Sequence, residues 1–430
     1  MSILGGTLTN SVAAPKVTDC SGGQQCTLGC CYIGGYCGYG PDFCGSKACI
    51  PKLSANQTCA QLSECDAGGY PGALWGPTYA KTTNCPLNVC CSKFGFSWPQ
   101  PSCGGSSATA RNIGYYEGWN QDHPCDPYTH LNFAFAFIDP VSYAVVPMAE
   151  NQKSLYKRFT GLKAKKPDLQ TWISIGGWSF NDPNPTQTTF SQLAASASAQ
   201  KAFFSSVLNF LKEYDFDGVD LDWEYPDAKD RGGVPEDFKN FAIFLSRMRS
   251  ALGSYGLSIT LPSSYWYLQH FDIVNLVKHV DFLSIMTYDV YGTWDSTIGE
   301  IGPYVYAHTN ITVVDKGVQL LWHNNIDPAK VNFGFGFYGR SYTLSNPSCE
   351  ATGCEFSKGG NPGKCTGTEG ILSYAEVVSV LQDKAINAEV RLDSKEMVKI
   401  ATWKDQWIGY DDAETIKMKM DYANKHCLGG

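Results

Sequence analysis

Positive charge is scarce in this sequence, and long apolar segments are missing. Asp and Glu number 41 against 33 for Lys and Arg, which gives a formal net charge of -8. Because phosphate binding needs a basic surface, this balance argues against nucleic acid and favours a neutral partner. No apolar run approaches the ~18 to 20 residues that cross a bilayer. We therefore expect neither a nucleic-acid partner nor a membrane partner.

Histidine is absent from the N-terminal quarter, where cysteine is abundant. Thirteen of the 18 cysteines lie before Gly104, and the first histidine is His123. The adjacent cysteine pairs at 30–31 and 90–91 do not match the spacing of zinc knuckles. The cysteines therefore predict a disulfide scaffold in an oxidising, secreted location, with no metal and no cofactor.

Two glycosylation sequons, at residues 56–58 and 310–312, fit a secretory route. Residues 1–6 nevertheless lack the basic start and apolar core of a signal peptide. We expect from this combination that the sequence begins inside a longer secreted protein.

The most informative segment is DGVDLDWE at residues 217–224. Side chains alternate faces along a strand, so Asp220, Asp222 and Glu224 share one face at spacings of roughly 7 Å. An EF-hand loop is excluded because glycine follows Asp217 immediately. A solvated edge strand is disfavoured by the apolar residues on the other face and by the apolar helices on both sides. A row of carboxyl groups that repel each other indicates a catalytic role.

Beyond a linker at 104–110, short apolar runs alternate with amphipathic stretches over ~300 residues, which suits a (β/α)8 barrel or a doubly wound sheet. The runs predicted as strands are 112–119, 129–138, 170–177, 218–225, 258–262, 280–288 and 331–338. Aromatic and polar residues cluster where these runs end. Sugar rings need this mixture, because their apolar faces stack on aromatics while their hydroxyls need polar partners.

Glu224 is the predicted proton donor, because it lies last on the acidic face and nearest the barrel mouth. Repulsion from Asp222 would raise the pKa of Glu224 and keep it protonated near neutral pH. The acidic row lacks a separate carboxylate across the cleft that could act as nucleophile. The acetamido oxygen of an aminosugar substrate can fill that role, with Asp222 orienting the acetamido group.

The acidic run, SIGG at 174–177, MTYD at 286–289 and GFYGR at 336–340 together resemble glycoside hydrolase family 18, over about residues 111–430. The resemblance implies a chitinase on a (β/α)8 barrel with a small α+β insertion domain. It implies Glu224 as general acid and Asp222 and Asp220 as its partners. It also implies that the substrate is bound by Tyr115, Phe135, Trp178, Tyr225, Met286, Tyr288, Asp289 and Arg340, with Tyr288 and Asp289 holding the N-acetyl group.

The cysteine spacing of residues 26–44 is similar to a hevein-type chitin-binding module, with Tyr36 and Phe43 where that family stacks sugars. Gly34 stands where a further aromatic is expected. A second, partial match at 85–96 keeps three of the matching residues but has Ser97 where the next cysteine belongs. These three are Ser92, Phe94 and Phe96. A stapled domain without a ligand stays open as the alternative for both.

The resemblance also implies an eighth strand after residues 429–430, and this chain lacks that strand. We therefore expect a barrel without its eighth strand, from a part of a longer product, with poor activity. The expected domains are an N-terminal segment (1–19), a hevein-like module (20–49), a cysteine-rich region with a partial second module (50–103), the linker, the catalytic barrel (111–342), the insertion domain (343–405) and a truncated return to the barrel (406–430).

The leading functional hypothesis is a secreted, monomeric chitinase that cleaves β-1,4 bonds within chitin and chito-oligosaccharides with retention of configuration. Two alternatives stay open. One is a chitin-binding, lectin-like protein without turnover, and the other is a toxin component that uses chitin only for docking. Hydrolysis by the full-length protein separates the first hypothesis from the other two.

Overall fold

The computed structural model describes residues 20–23, 26, 30–38, 50–54, 87, 101–117, 127–299 and 301–430. The chain divides into two compact units, Met1–Pro99 and Gln100–Gly430. Within the described residues, no helix is both long and apolar enough to cross a lipid bilayer.

The first unit contains a small antiparallel pair, β1 (Cys30–Cys31) and β2 (Cys37–Gly38). Cys20 forms a disulfide with Cys31, and Cys26 is also disulfide-bonded. These three cysteines form a buried cluster against which Ile50 and Leu53 pack. Their sulfurs lie within 4.8 Å of one another, but oxidation into disulfides leaves them no thiolate for a metal. The predicted disulfide scaffold is confirmed in this unit.

Seven parallel strands form the central sheet of the described part of the second unit. They are β3 (Ile113–Glu117), β4 (His130–Ile138), β6 (Gln170–Gly176), β7 (Gly218–Asp222), β8 (Gly256–Pro262), β9 (Phe282–Met286) and β10 (Val331–Phe333). They pair in chain order, β3-β4-β6-β7-β8-β9-β10, while β5 (Val145–Pro147) pairs antiparallel with β4. This order is that of an α/β barrel sheet, which confirms the predicted fold class.

Helices connect the strands, and most of them cover the outer face of this sheet. They are α1 (Gln152–Thr160), α2 (Thr189–Ala195), α3 (Ala197–Tyr214), α4 (Asp237–Leu252), α5 (Tyr265–Leu268), α6 (Ile273–Leu276), α7 (Ile311–His323), α8 (Tyr374–Gln382) and α9 (Ala413–Lys425). Helix α8 packs instead on a second, antiparallel sheet, where Val377 is buried beside Leu372 and Ile408. In α4, the side chains of Phe241, Leu245 and Met248 are buried at helical spacing. Phe238, in the first turn of the same helix, is 39% exposed.

Alternate strand residues fill the inside of the curved sheet in layers. The lowest layer is aromatic: Trp172 stacks on Phe282 with ring centroids 5.0 Å apart, and the Arg111 guanidinium lies 5.3 Å from the Phe282 ring. A side chain at Gly256 would place its Cβ 2.0 Å from the Trp172 ring, so only glycine leaves room for the indole. Burial and the nearby Arg111 charge lower the pKa of His130, in the same layer, to about 4. The polar residues described below lie above this floor.

An antiparallel sheet follows β10. Its strands are β11 (Tyr338–Leu344), β12 (Phe356–Gly359), β13 (Ile371–Ser373), β14 (Glu389–Asp393), β15 (Val398–Trp403) and β16 (Gln406–Tyr410). The prediction of one strand over 331–338 is wrong, because β10 ends at Phe333 and Tyr338 opens β11 in this second sheet. The sheet also includes residues on both sides of 343–405, the expected limits of the insertion domain.

The two edges of the parallel sheet are linked at the end of the chain. The Arg111 amide donates to the Gly429 carbonyl at 3.1 Å, and the Gly429 amide donates to Val331 at 3.0 Å. The Phe333 amide donates to the Gly430 carbonyl at 2.9 Å. A disulfide between Cys103 and Cys427 fixes the same corner covalently. The first and seventh strands are therefore bridged by residues 429–430 at the lower end of the sheet.

The sequon at 310–312 lies at the start of α7, where Asn310 is only 4% exposed. Its Oδ1 accepts from the Thr312 amide at 2.8 Å and from the Thr312 hydroxyl at 2.7 Å. Asn310 therefore caps the helix inside the fold and gives no support to a secretory route. The sequon at 56–58 and Cys125 lie outside the described residues.

Candidate active site

Strand β7 carries the acidic face into the inside of the sheet. Asp220 and Asp222 are 0% and 5% exposed, and Glu224, two residues beyond the strand end, is 7% exposed. Val219, Leu221 and Trp223, on the opposite face, are also buried. Helices therefore cover the apolar face, and the carboxyl groups face the interior as the alternation predicts.

Asp220 is held by four hydroxyl and amide donors from four other strands. Its Oδ2 accepts from the Tyr115 hydroxyl at 2.9 Å, the Ser174 hydroxyl at 2.9 Å and Asn132 Nδ2 at 3.3 Å. Its Oδ1 accepts from the Ser258 hydroxyl at 2.5 Å. Burial raises the pKa of Asp220, and these donors act against that rise. The fully buried carboxyl group thus has at least one hydrogen-bond donor on each oxygen.

Asp222 and Glu224 interact closely and share one environment. Burial, followed by the charge of Asp222, raises the pKa of Glu224 well above its usual value, and Tyr225 and Arg231 oppose the rise. Burial also raises the pKa of Asp222, and the charge of Asp220 adds to it while a hydrogen bond from Thr260 opposes it. The pair therefore retains a proton near neutral pH. Burial, rather than the repulsion expected from the sequence, is the larger cause.

The pKa of Asp289, which follows β9, shifts in the opposite direction from those of Asp222 and Glu224. Arg340 donates to both of its oxygens, from Nε and Nη2, at 2.8 Å each. His308 Nδ1 lies 3.3 Å from the Asp289 Oδ1 atom, and His308 Nε2 lies 3.1 Å from the Tyr338 carbonyl. Burial alone would raise the pKa of Asp289, but the hydrogen bonds and charges of His308 and Arg340 lower it well below its usual range. Asp289 is therefore ionised at neutral pH.

Some of the aromatic residues predicted to bind the substrate are exposed, and others are buried. Trp178 and Tyr115 are 51% and 37% exposed, so their rings can contact a ligand. Tyr225 is 7% exposed and stacks on Tyr267 with ring centroids 4.2 Å apart. Its contacts are thus mainly internal, and they include Glu224. Phe135, Met286 and Tyr288 are partly exposed.

Several residues of the site were missed in the sequence. Thr260 donates to Asp222, Ser258 and Asn132 donate to Asp220, and His308 contacts Asp289. Period-two counting along β8 could have found Ser258 and Thr260, since both face the same side. Arg231, which donates to the Glu224 carbonyl at 3.0 Å, had no local signal at all.

In the first unit, Tyr36 is 61% exposed and can contact a ligand. Gly34, in the short turn between β1 and β2, lies against the Tyr32 ring. Phe43, Ser92, Phe94 and Phe96 lie outside the described residues.

A buried acid pair at the carboxyl ends of the strands of an α/β barrel fits the glycoside hydrolase class, whose members use paired carboxyl groups. The profile of the glycosyl hydrolases family 18 matches residues 111–430, about three quarters of the chain. The chain belongs to this family.

Three known proteins illustrate the similarity. The secreted chitinase LysM12 of Penicillium expansum is 29% identical over 448 residues, which cover 90% of this chain and 29% of that protein. The killer toxin subunits alpha/beta of Kluyveromyces lactis are 32% identical over 378 residues, which cover 79% of this chain and 31% of that protein. The crystal structure of the Ostrinia furnacalis group IV chitinase is 27% identical, with a TM-score of 0.66, and the match covers 74% of this chain and 90% of that chain. The chain thus spans less than a third of the two fungal proteins.

Proposed function

We propose that the protein is a secreted chitinase that cleaves β-1,4 bonds within chitin and chito-oligosaccharides with retention of configuration. The observation that carries this proposal is the Asp222–Glu224 pair, which holds a proton at the mouth of the barrel. The chitinase names of relatives that cover most of this chain support the substrate class, and a second solved structure of the Ostrinia enzyme is a complex with allosamidin.

In the proposed mechanism, Glu224 protonates the oxygen of the bond that breaks. Asp222 orients the acetamido group of the sugar, whose carbonyl oxygen attacks the anomeric carbon, and a water molecule then opens the cyclic intermediate. Asp220, one position lower on the same face, raises the pKa of Asp222 through its charge. Tyr288 and Asp289 hold the acetamido group, and Tyr115, Phe135, Trp178, Tyr225, Met286 and Arg340 line the cleft around the sugar chain.

Glu224→Gln tests this mechanism, because the amide cannot give up a proton to the leaving group. We expect kcat on chitotetraose to fall by roughly 10²- to 10⁴-fold while binding persists. Glu236→Gln is the matched control, since Glu236 is exposed and caps α4 without a side-chain hydrogen bond. Products that first appear as the α-anomer, or an unchanged kcat in Glu224→Gln, would refute the mechanism.

We further propose that residues 20–49 form a hevein-type module that binds chitin through Tyr36 and Phe43, and that residues 50–103 contain a partial second one. Ser92, Phe94 and Phe96 would be its contacts. The exposed Tyr36 ring supports the first module. We expect Tyr36→Ala to weaken retention on insoluble chitin and leave cleavage of soluble chitotetraose unchanged. Equal retention of the wild-type protein and Tyr36→Ala on insoluble chitin would exclude a chitin-binding role for Tyr36. The remaining domain limits stay as proposed from the sequence, including the catalytic barrel at 111–342.

A further inference from the structure

Arg231 joins two loops at the mouth of the barrel. It lies in the loop between β7 and α4 and is only 5% exposed. Its Nε donates to the Glu224 carbonyl at 3.0 Å, and its Nη1 donates to Asp182 Oδ1 at 2.9 Å. Its Nη2 donates to the Trp178 carbonyl. One guanidinium thus contacts the main chain of the acid loop and the loop that follows β6.

The same guanidinium supports the Trp178 ring. Its central carbon lies 3.7 Å from the centre of the indole ring, well within the range of a cation–π contact. Trp178 is nevertheless 51% exposed, because one side of the ring faces Arg231 while much of the rest faces solvent. An indole that is fixed on one side and open on the other can stack on the apolar face of a sugar at little conformational cost.

The loop that carries Arg231 is itself anchored. Asp237 Oδ2, at the start of α4, accepts from the amides of Asp227 at 3.2 Å and Val234 at 2.8 Å, and from the Ser191 hydroxyl at 2.7 Å. Gly232, directly after Arg231, has a φ of +78°, a conformation that L side chains rarely adopt. The Arg231 backbone is therefore held in place before any ligand arrives.

We propose that Arg231 is a positioning residue that couples the sugar platform Trp178 to the acid Glu224. It holds the indole ready to stack on a sugar bound beside the acid, and it fixes the main chain from which the Glu224 side chain projects. This inference rests on the proposed function, because the sugar and the acid are those of the proposed chitinase. Arg231 itself touches neither the substrate nor the reacting atoms.

Arg231 also contributes its charge to the acid. The positive charge lowers the pKa of Glu224, against burial and the charge of Asp222, which raise it. The titratable and charged groups that face Glu224 come from β7, the loop after it, the end of β9 and α5. They are Asp222, Tyr225, Arg231, Tyr288, Asp289 and Tyr267. Removal of Arg231 therefore moves the alkaline limb of the activity profile to higher pH, since the acid keeps its proton longer.

The test compares Arg231→Met and Arg231→Lys on chitotetraose. We expect Arg231→Met to raise KM about two- to fivefold, the range of a cation–π contact at a partly exposed ring, and to shift the alkaline limb upward. Arg231→Lys keeps the charge but lacks the planar fork. We therefore expect Arg231→Lys to have the alkaline limb of the wild-type protein but the raised KM of Arg231→Met. Arg249→Met is the matched control, because Arg249 also binds one carboxylate and two carbonyls, Asp281, Gly253 and Tyr255, at the other end of the barrel.

A double-mutant cycle shows whether Arg231 acts through Trp178. In a Trp178→Ala background, Arg231→Met should no longer raise KM, because the platform is already lost. Additive effects of the two substitutions, or an unchanged KM and pH profile in a folded Arg231→Met protein, would overturn the inference. If Arg231→Met does not fold, Arg231→Lys decides the question. A raised KM with a wild-type pH profile supports the inference, and a wild-type KM overturns it.

Binding separates this inference from the proposed function. Calorimetry with chitotetraose is performed on Glu224→Gln and on Glu224→Gln combined with Arg231→Met. If Glu224→Gln binds and the second substitution weakens binding by about two- to fivefold, the platform role holds. If Glu224→Gln binds and the second substitution changes nothing, the platform role fails alone. If Glu224→Gln does not bind chitotetraose, the proposed substrate class fails and the inference fails with it.

Discussion

Arg340 holds the Asp289 carboxylate with two parallel hydrogen bonds of 2.8 Å. These bonds, with His308, lower the pKa of Asp289, whereas burial and Asp222 raise the pKa of Glu224. Two carboxyl groups at the same mouth are thus driven in opposite directions by their surroundings. One stays ionised, and the other keeps a proton, which is the division of work that acid catalysis on a polar substrate requires.

Arg340→Met should reveal the first of these shifts as a loss of stability that depends on pH. Asp289 has a folded pKa below its unfolded value, so its contribution is complete above about pH 4 and is lost as pH falls through the folded pKa. We expect the free energy of unfolding to fall by about 1 to 2 kcal/mol at pH 7, and by less near pH 2. Denaturant unfolding of the wild-type protein and of Arg340→Met at pH 7 and near pH 2 measures this difference in free energy.

Lys417→Met is the control for Arg340→Met. Lys417 pairs with Asp421 in α9, and the two side chains are 75% and 64% exposed. Removing this pair should change the free energy of unfolding by less than about 0.5 kcal/mol. Equal losses at pH 7 and pH 2 in Arg340→Met would contradict the assignment to Asp289.

Thr260→Val should impair turnover more than binding. Thr260 donates to Asp222 and lowers its pKa, so its removal lets Asp222 compete for the proton that Glu224 needs. We expect kcat to fall about tenfold with KM nearly unchanged, the range of a hydrogen bond to a charged group. Steady-state kinetics on chitotetraose measures the change. Thr260→Ser retains the hydroxyl and should retain most of kcat, and a wild-type kcat in Thr260→Val would exclude this role.

The disulfides of the second unit should differ widely in their effect on stability. Cys103–Cys427 joins residues 324 apart, and Cys349–Cys354 joins residues 5 apart. A cross-link restricts the unfolded chain more as the closed loop lengthens, so loss of the long link should cost roughly 3 to 4 kcal/mol more. Unfolding midpoints of the two double alanine variants measure the difference. The same midpoint in both would show that loop entropy does not control the effect.

Asn310 should carry no glycan when the protein is expressed in a eukaryotic secretory host, although its sequon is intact. The side chain is 4% exposed and caps α7, so an attached sugar has no room in the fold. Peptide mass mapping checks this directly. Asn310→Ala should lower the free energy of unfolding by about 1 kcal/mol through loss of the cap, whereas Thr312→Val removes the sequon and keeps the amide that Asn310 caps. A glycan found at Asn310 would contradict the burial.

The sequence predicts the acidic strand and the parallel order because both depend on short-range patterns. The period of two that places Asp220 and Leu221 on opposite faces of the strand is visible in five residues. Where the pattern is ambiguous the prediction fails. Residues 333–337 alternate aromatics with glycine, and nothing in them marks the point at which the chain leaves one sheet and enters another.

The contacts that shape the site could not be predicted in the same way. His308 reaches Asp289, and Arg231 reaches Trp178, across separations of 19 and 53 residues. Which residues meet there depends on the path of whole loops, and a loop such as that of Arg231 has no period to count. The larger effect of burial on Glu224 is also invisible in the sequence, because burial is a property of the assembled interior.

The aromatic floor has a consequence for traffic through the molecule. With Trp172 and Phe282 stacked across its base, the inside of the curved sheet is blocked at its lower end. In the proposed reaction, the sugar chain and the water that hydrolyses it therefore reach Glu224 from the upper end and not through the base.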